Sequence, residues 1–198
     1  MINGNQIWRL VSIVSLILSM AQPPTAQATG SNTLPADSVY HLQVPVEDQT
    51  GKTTGLDRYR GHPVLVTMFY ASCPHVCPML ISTIKIMEHE LSNEERSELR
   101  VMTISIDPER DTPRKLRETM ESQSVDASRW STVRSNPGDL RAIAGVFGVK
   151  YKRLPDGEFN HTARIILLNR EGTQVASTEQ IGRLDAAFLE AIKTSWFH

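Results

Sequence analysis

Two apolar runs without a helical period anchor the pattern of this chain. Pro63-Val64-Leu65-Val66-Thr67-Met68-Phe69-Tyr70 is almost continuously apolar or β-branched, which predicts a strand buried on both faces. Val101-Met102-Thr103-Ile104-Ser105-Ile106 predicts a second. Between them Leu80, Ile84, Met87 and Leu91 recur at helical spacing. Pro78 suits the first turn of that helix, where its missing N–H would have had no partner anyway. The separation of the two runs fits a right-handed βαβ crossover, so the centre of the sheet is expected to be parallel.

The rest of the pattern is built around this unit. Upstream, residues 40–47 alternate roughly between apolar and polar, and Gly51 and Gly55 punctuate the next stretch, which predicts an amino-terminal hairpin on one edge. Downstream, Asp107-Pro108-Glu109-Arg110-Asp111-Thr112-Pro113 ends the second strand, with Asp111 or Thr112 placed to cap a helix that runs to about Ser122. After a short segment around Trp130, Leu140, Ile143, Ala144 and Phe147 mark another helix, and Gly148 stands where a left-handed cap belongs. A strand near Tyr151 comes next. The runs at 164–168 and 174–176 flank Asn169-Arg170-Glu171-Gly172 as a hairpin, and Leu184, Ala187, Phe188, Ala191 and Ile192 share one face of a last helix. A βαβ unit followed by helix, hairpin and helix is a thioredoxin-like α/β arrangement: a central mixed sheet flanked by helices, with an added amino-terminal hairpin.

Composition sets the scale of this picture. A chain of 198 residues, 40% of them hydrophobic, supports one well-filled core and not two. The formal charge of −1 is mixed along the chain, with no basic block to follow a phosphate backbone, which argues against nucleic acid as a partner. At the amino terminus Arg9 precedes an apolar run of residues 10–21, shorter than the about 20 residues needed to span a bilayer. Ala26-Gln27-Ala28 then offers small residues to a signal peptidase. Residues 1–28 are expected to be a cleaved secretory signal, with an uncleaved membrane anchor as the rival reading. Residues 29–38 read as a flexible linker and 39–198 as the folded domain. Export places the protein in the periplasm, attached to the inner membrane if the amino-terminal segment is kept. In such an oxidising compartment two thiols can pair unless they are reduced or metallated.

Two cysteines remain, Cys73 and Cys77, bracketed by Pro74 and Pro78 at the junction between the first strand and its helix. Backbone N–H groups and the positive helix end favour thiolate there. Three chemistries fit. A structural disulfide would close so short a loop that it would remove little entropy from the unfolded chain. A dithiol oxidoreductase normally has two residues between its cysteines, and here there are three. Two thiolates are also a soft donor pair suited to Cu(I) or Zn(II), needing one more ligand. Spacing leaves that third ligand open between His75, within the loop, and His161, which precedes the 164–168 run. His41, His62, His89 and His198 read as surface residues, and Met79 beside the loop stays ambiguous.

At this point the residues resemble the Sco/SenC family, thioredoxin-fold copper proteins that help build the copper centre of respiratory cytochrome oxidases. The resemblance spans most of residues 40–180. It is carried by Phe69-Tyr70 leading into Cys73-Pro74-His75-Val76-Cys77-Pro78, by the segment from Ser105 to Pro113, and by His161 ahead of the 164–168 strand. It implies that Cys73, Cys77 and His161 are the ligands of a copper ion, as Cu(I) and as Cu(II). It implies as partners the copper-bearing oxidase subunit, a copper donor protein and a thiol reductant. On this reading ligand exchange replaces catalysis. The alternatives are a thiol–disulfide reductase acting through Cys73 and Cys77 on the oxidase subunit's copper-ligating cysteines, and a redox or copper sensor. Two departures matter. His75 stands where the family usually has an acidic residue, so it is either a transient ligand or a solvent-facing loop residue. The stretch from Phe159 to Asn169 also lacks the proline that thiol oxidoreductases place beside the dithiol, which favours the carrier.

Overall fold

A computed structural model describes residues 33–73 and 76–195. The residues assigned to a signal, and the first four of the linker, lie outside this range, as do Pro74, His75 and His198. The strands are β1 (Val46–Asp48), β2 (Thr53–Thr54), β3 (Val64–Phe69), β4 (Arg100–Ser105), β5 (Trp130–Ser135), β6 (Tyr151–Arg153), β7 (Phe159–His161), β8 (Ile165–Leu168) and β9 (Gln174–Thr178). The helices are α1 (Val76–His89), α2 (Asn93–Glu98), α3 (Pro113–Ser122), α4 (Leu140–Val146) and α5 (Ala186–Thr194). Seven strands form one mixed sheet in the order β2-β1-β5-β4-β3-β8-β9, while β6 and β7 pair as a separate hairpin.

The centre of the sheet arises from the apolar runs. β3 pairs in parallel with β4, and β4 with β5, while β8 lies antiparallel against the other edge of β3. All six residues of β3 and all four of β8 are buried. Side chains alternate across a strand, so successive residues of β3 supply different layers. Val64, Val66 and Met68 join Ile104, Ile166 and Leu168 with Leu116 of α3 and Ile143 of α4 in one cluster. Leu65 joins Val101 and Leu167 with Leu80, Ile84 and Met87 of α1 and Phe188 and Ile192 of α5 in the other.

Several local expectations are refined. The amino-terminal hairpin starts later than the alternation suggests: Val39–His41 is a 3-10 turn capped by the Ser38 hydroxyl, and pairing begins at Val46. Ser38 also donates to the Glu171 carbonyl at 2.6 Å, and Tyr40 packs onto the turn between β8 and β9. A Cβ at Gly172, whose φ is +84°, would lie 2.5 Å from the Tyr40 ring, so both the backbone and the packing there demand glycine. α2 is an addition to the expected elements: it buries no residue and so has no apolar period, although Ser92 and Glu95 form a capping box. The Trp130 segment is a full strand, and its pattern of buried and half-buried positions is irregular enough to hide it. α5 begins after Leu184, because Asp185 caps it by accepting from the Ala187 and Phe188 amides. Among the described residues no helix is long and apolar enough to cross a membrane.

Candidate metal centre

The cysteine loop follows β3, a fully buried strand paired on both edges. β3 ends at Phe69, whose carbonyl accepts from the Ile106 amide at 2.8 Å, and the chain turns so that the Cys73 amide donates to the Tyr70 carbonyl at 3.2 Å. The turn is braced from below by Asp111. One of its oxygens, Oδ2, accepts from the Ala71 amide at 3.0 Å and from the Ser105 hydroxyl at 2.6 Å. Of the two candidate caps for α3, Thr112 does the capping and accepts from the Lys115 amide. Asp111 is buried and points at the loop instead. The sequence segment therefore has a second duty that capping rules do not reveal.

α1 starts at Val76, so Cys77 and Pro78 both lie in its first turn. The Cys77 amide donates to Cys73 Sγ at 3.4 Å, placing that sulfur at the positive end of the helix, where negative charge is favoured. The two cysteines are not joined in a disulfide; Cys73 is half-buried and Cys77 buried. For Cys77 the expectation of an easily formed thiolate is corrected. Burial pushes its thiol well above the ordinary range, and the neighbouring Cys73 pushes it the same way, outweighing the hydrogen bond from the Tyr70 backbone. A metal would have to displace that proton.

His161 is the last residue of β7, and its Nε2 lies 4.0 Å from Cys77 Sγ. Nδ1 lies 3.1 Å from the Thr162 carbonyl. A carbonyl can only accept, so this contact places the ring proton on Nδ1 and leaves the Nε2 lone pair facing the sulfur. Burial lowers the proton affinity of His161, more than the Thr162 contact raises it, which keeps the imidazole neutral and competent as a ligand. The structure thus joins His161 to Cys77 and sets Cys73 against the helix end. Among the described residues no three His, Cys, Asp or Glu side chains are yet close enough to enclose an ion. Two thiol sulfurs and an imidazole nitrogen are a donor set that fits a soft ion. A cleft of about 310 Å³ lined by Tyr70, Ala71, Cys73, Cys77 and Lys115 opens on one side.

Among the described residues, the other histidines have partners outside this centre and Met79 is exposed. His41 is exposed and bonds to the Pro35 carbonyl; His62 and His89 lie beside Glu98 and Glu90. Met79 is 46% exposed. Two further residues, Asp111 and Tyr70, lie in the segments that carry the resemblance, but their contacts at the site form only in three dimensions. Spacing carries no signal for either, because both act across the fold.

The family model described as SCO1/SenC matches residues 41–196. The SCO2-like protein of Rickettsia typhi is 23% identical over 186 residues, spanning 86% of this chain and 90% of that protein. That of Rickettsia prowazekii is 24% identical over 131 residues, 63% of this chain and 62% of its own length. The solved structure of Bradyrhizobium japonicum ScoI with copper bound superposes with a TM-score of 0.63 at 26% identity, covering 77% of this chain and 96% of that one. The match takes in both cysteines, the Asp111 brace and the His161 hairpin within one thioredoxin-like architecture, and on it the chain belongs to the SCO1/SenC family.

Proposed function

We propose that this protein is an exported copper carrier that holds the ion between Cys73, Cys77 and His161 and passes it to the copper-bearing subunit of a respiratory cytochrome oxidase. The observation that carries the reading is the unprotonated Nε2 of His161 facing Cys77 Sγ at 4.0 Å across two separate parts of the fold. Two thiolates and a neutral imidazole give a site of charge −1 with Cu(I) and neutral with Cu(II), so both states are tolerable for a soft donor set. The copper held by the related ScoI points the same way. On this reading residues 1–28 direct export to the periplasm. Because the ligands come from a loop and a hairpin, they can be released one at a time, as transfer through shared thiolates requires.

A second reading has its own observation. Cys73 is partly accessible, with its sulfur at the amino end of α1, where a nucleophilic thiolate is favoured. As a reductase, Cys73 would attack a partner disulfide and Cys77 would resolve the mixed disulfide. That releases two partner thiols and leaves Cys73 and Cys77 joined, to be reduced by an external thiol reductant. The test is an anaerobic Cu(I) titration against a competing chelator, with wild type, Cys73→Ser and His161→Ala. One tight equivalent in wild type is expected. Both variants should lose more than the roughly 10–100-fold that removing a supporting neighbour costs. Equal affinity in wild type and His161→Ala would sink the carrier and leave the reductase, for which His161 is dispensable.

A further inference from the structure

His161 does not stand on the main sheet. It closes β7, which pairs with β6 in a two-stranded hairpin outside the seven-stranded sheet. A ligand on such an element is only as well placed as the contacts that tie the element down. Besides the packing of Tyr151 and Phe159 on the core and a surface ion pair from Arg153 to Glu109, two residues of the main body hold the hairpin through hydrogen bonds. Arg110 holds its tip: it donates to the Gly157 carbonyl at 2.6 Å, lies 5.9 Å from the Phe159 ring centroid and pairs with Asp107. The other tie is Tyr70, immediately beyond β3.

The Tyr70 hydroxyl donates to Glu158 Oε2 at 2.8 Å and accepts from the Phe159 amide at 3.4 Å. Its ring meets Phe159 with centroids 5.3 Å apart and His161 edge-on, with centroids 6.0 Å apart and planes at 79°. The same residue accepts the Cys73 amide on its carbonyl. Tyr70 is only 4% exposed, so it is itself firmly held. One residue therefore touches the loop that carries the cysteines, the two residues that precede His161 by three and two positions, and the His161 ring.

We propose that Tyr70 is a positioning residue of this site: its hydroxyl latches the β6–β7 hairpin to the cysteine loop and so fixes His161 Nε2 opposite Cys77 Sγ. This rests on the copper-carrier reading for its consequence but not for its geometry. Without the hydroxyl, the Phe159 N–H and the Glu158 carboxylate lose their partner, while the ring and its volume stay. The hairpin is then held by Arg110 at its tip and by ring contacts, which constrain His161 less.

The test is Tyr70→Phe in the purified protein, alone and combined with His161→Ala, titrated with Cu(I) against a chelator. Tyr70→Phe should weaken Cu(I) binding by about tenfold or more, within the range for partners that orient a ligand. Because the Tyr70 hydroxyl also meets Cys73, a small loss should remain once His161 is absent, but it should be much smaller than in the presence of His161, since the latch acts chiefly through that residue. Glu158→Ala, which removes the hydroxyl's contact at Oε2 and keeps Tyr70, should give a smaller loss of the same kind. Unchanged affinity in Tyr70→Phe, or an equal loss with and without His161, overturns the proposal. In the metal-free protein, Tyr70→Phe should shift the His161 ring resonances and speed amide exchange at Phe159 while leaving β3 and β4 unaffected. If wild type binds no Cu(I), the carrier reading fails separately, and unshifted His161 resonances in Tyr70→Phe overturn the latch.

Discussion

The two halves of the site are built on opposite mechanical principles. Cys73 and Cys77 hang from β3, all of whose residues are buried and which is flanked on both edges by β4 and β8. His161 belongs to a hairpin of two three-residue strands, whose side chains are half-buried or exposed. The cysteine half is braced by the interior through Asp111, whereas the histidine half is tethered through a few polar contacts at Tyr70 and Arg110. Opening free energies vary across a fold in this way, lowest where burial is least. In the proposed carrier such a difference would keep the cysteines organised while the imidazole is the ligand released first.

The strongest way to break this contrast is to remove the brace. Asp111→Ala leaves the Ala71 amide and the Ser105 hydroxyl without their acceptor, and the expected loss is about 2–4 kcal/mol in urea unfolding. Asp111→Asn should rescue it, because both donors use the same oxygen, Oδ2, and an amide carbonyl can take its place. The pH dependence of that rescue has a definite sign. Burial raises the Asp111 carboxyl above its usual range, despite the hydrogen bonds from Ser105 and Ala71 that lower it. The folded protein thus favours the neutral acid, and this contribution is complete below the unfolded pKa and lost as pH rises through the folded one. Asparagine does not titrate. The stability of Asp111→Asn relative to wild type should therefore increase as pH rises above the ordinary carboxylate range, about 4.

Native-state hydrogen exchange sharpens the comparison without mutation. The amides of Val66 and Met68 should open only near global unfolding, while those of Lys152 and Asn160 in the hairpin should open by a local route at least about tenfold more often. Equal protection in both would mean that the hairpin is as firmly built as the sheet. The smallest effect concerns the ion pair between Arg153 on β6 and Glu109, at 3.5 Å with both side chains half or more exposed. Glu109→Ala should change stability by less than about 0.5 kcal/mol, because solvent screens such a pair. A larger loss would show the hairpin to depend on its surface charges and not on Tyr70 and Arg110.

How much of this can be read from residues depends on where each signal lives. β3, β4 and β8 are legible because burial on both faces writes itself as an unbroken apolar run, and α1 and α4 because one buried face imposes a helical period. β5, with its irregular burial, and the three-residue β7 are too weakly patterned to announce themselves. Within the Asp107–Pro113 segment the local rule succeeds for Thr112 and Pro113, which act on their own helix. It cannot place Asp111, which acts on a turn forty residues upstream.

The sequence by itself determined a thioredoxin-like α/β domain and a pair of thiols at a strand-to-helix junction, since both derive from periodicity and from residues near one another in the chain. The third donor is different: His161 is singled out by resemblance, not by its spacing from the cysteines. Only the tertiary structure decided that its Nε2 faces Cys77, that burial keeps that cysteine protonated, and that Tyr70 and Asp111 hold the two halves. Those outcomes depend on distances and desolvation between segments about 40–90 residues apart, which the fold creates and no local pattern records.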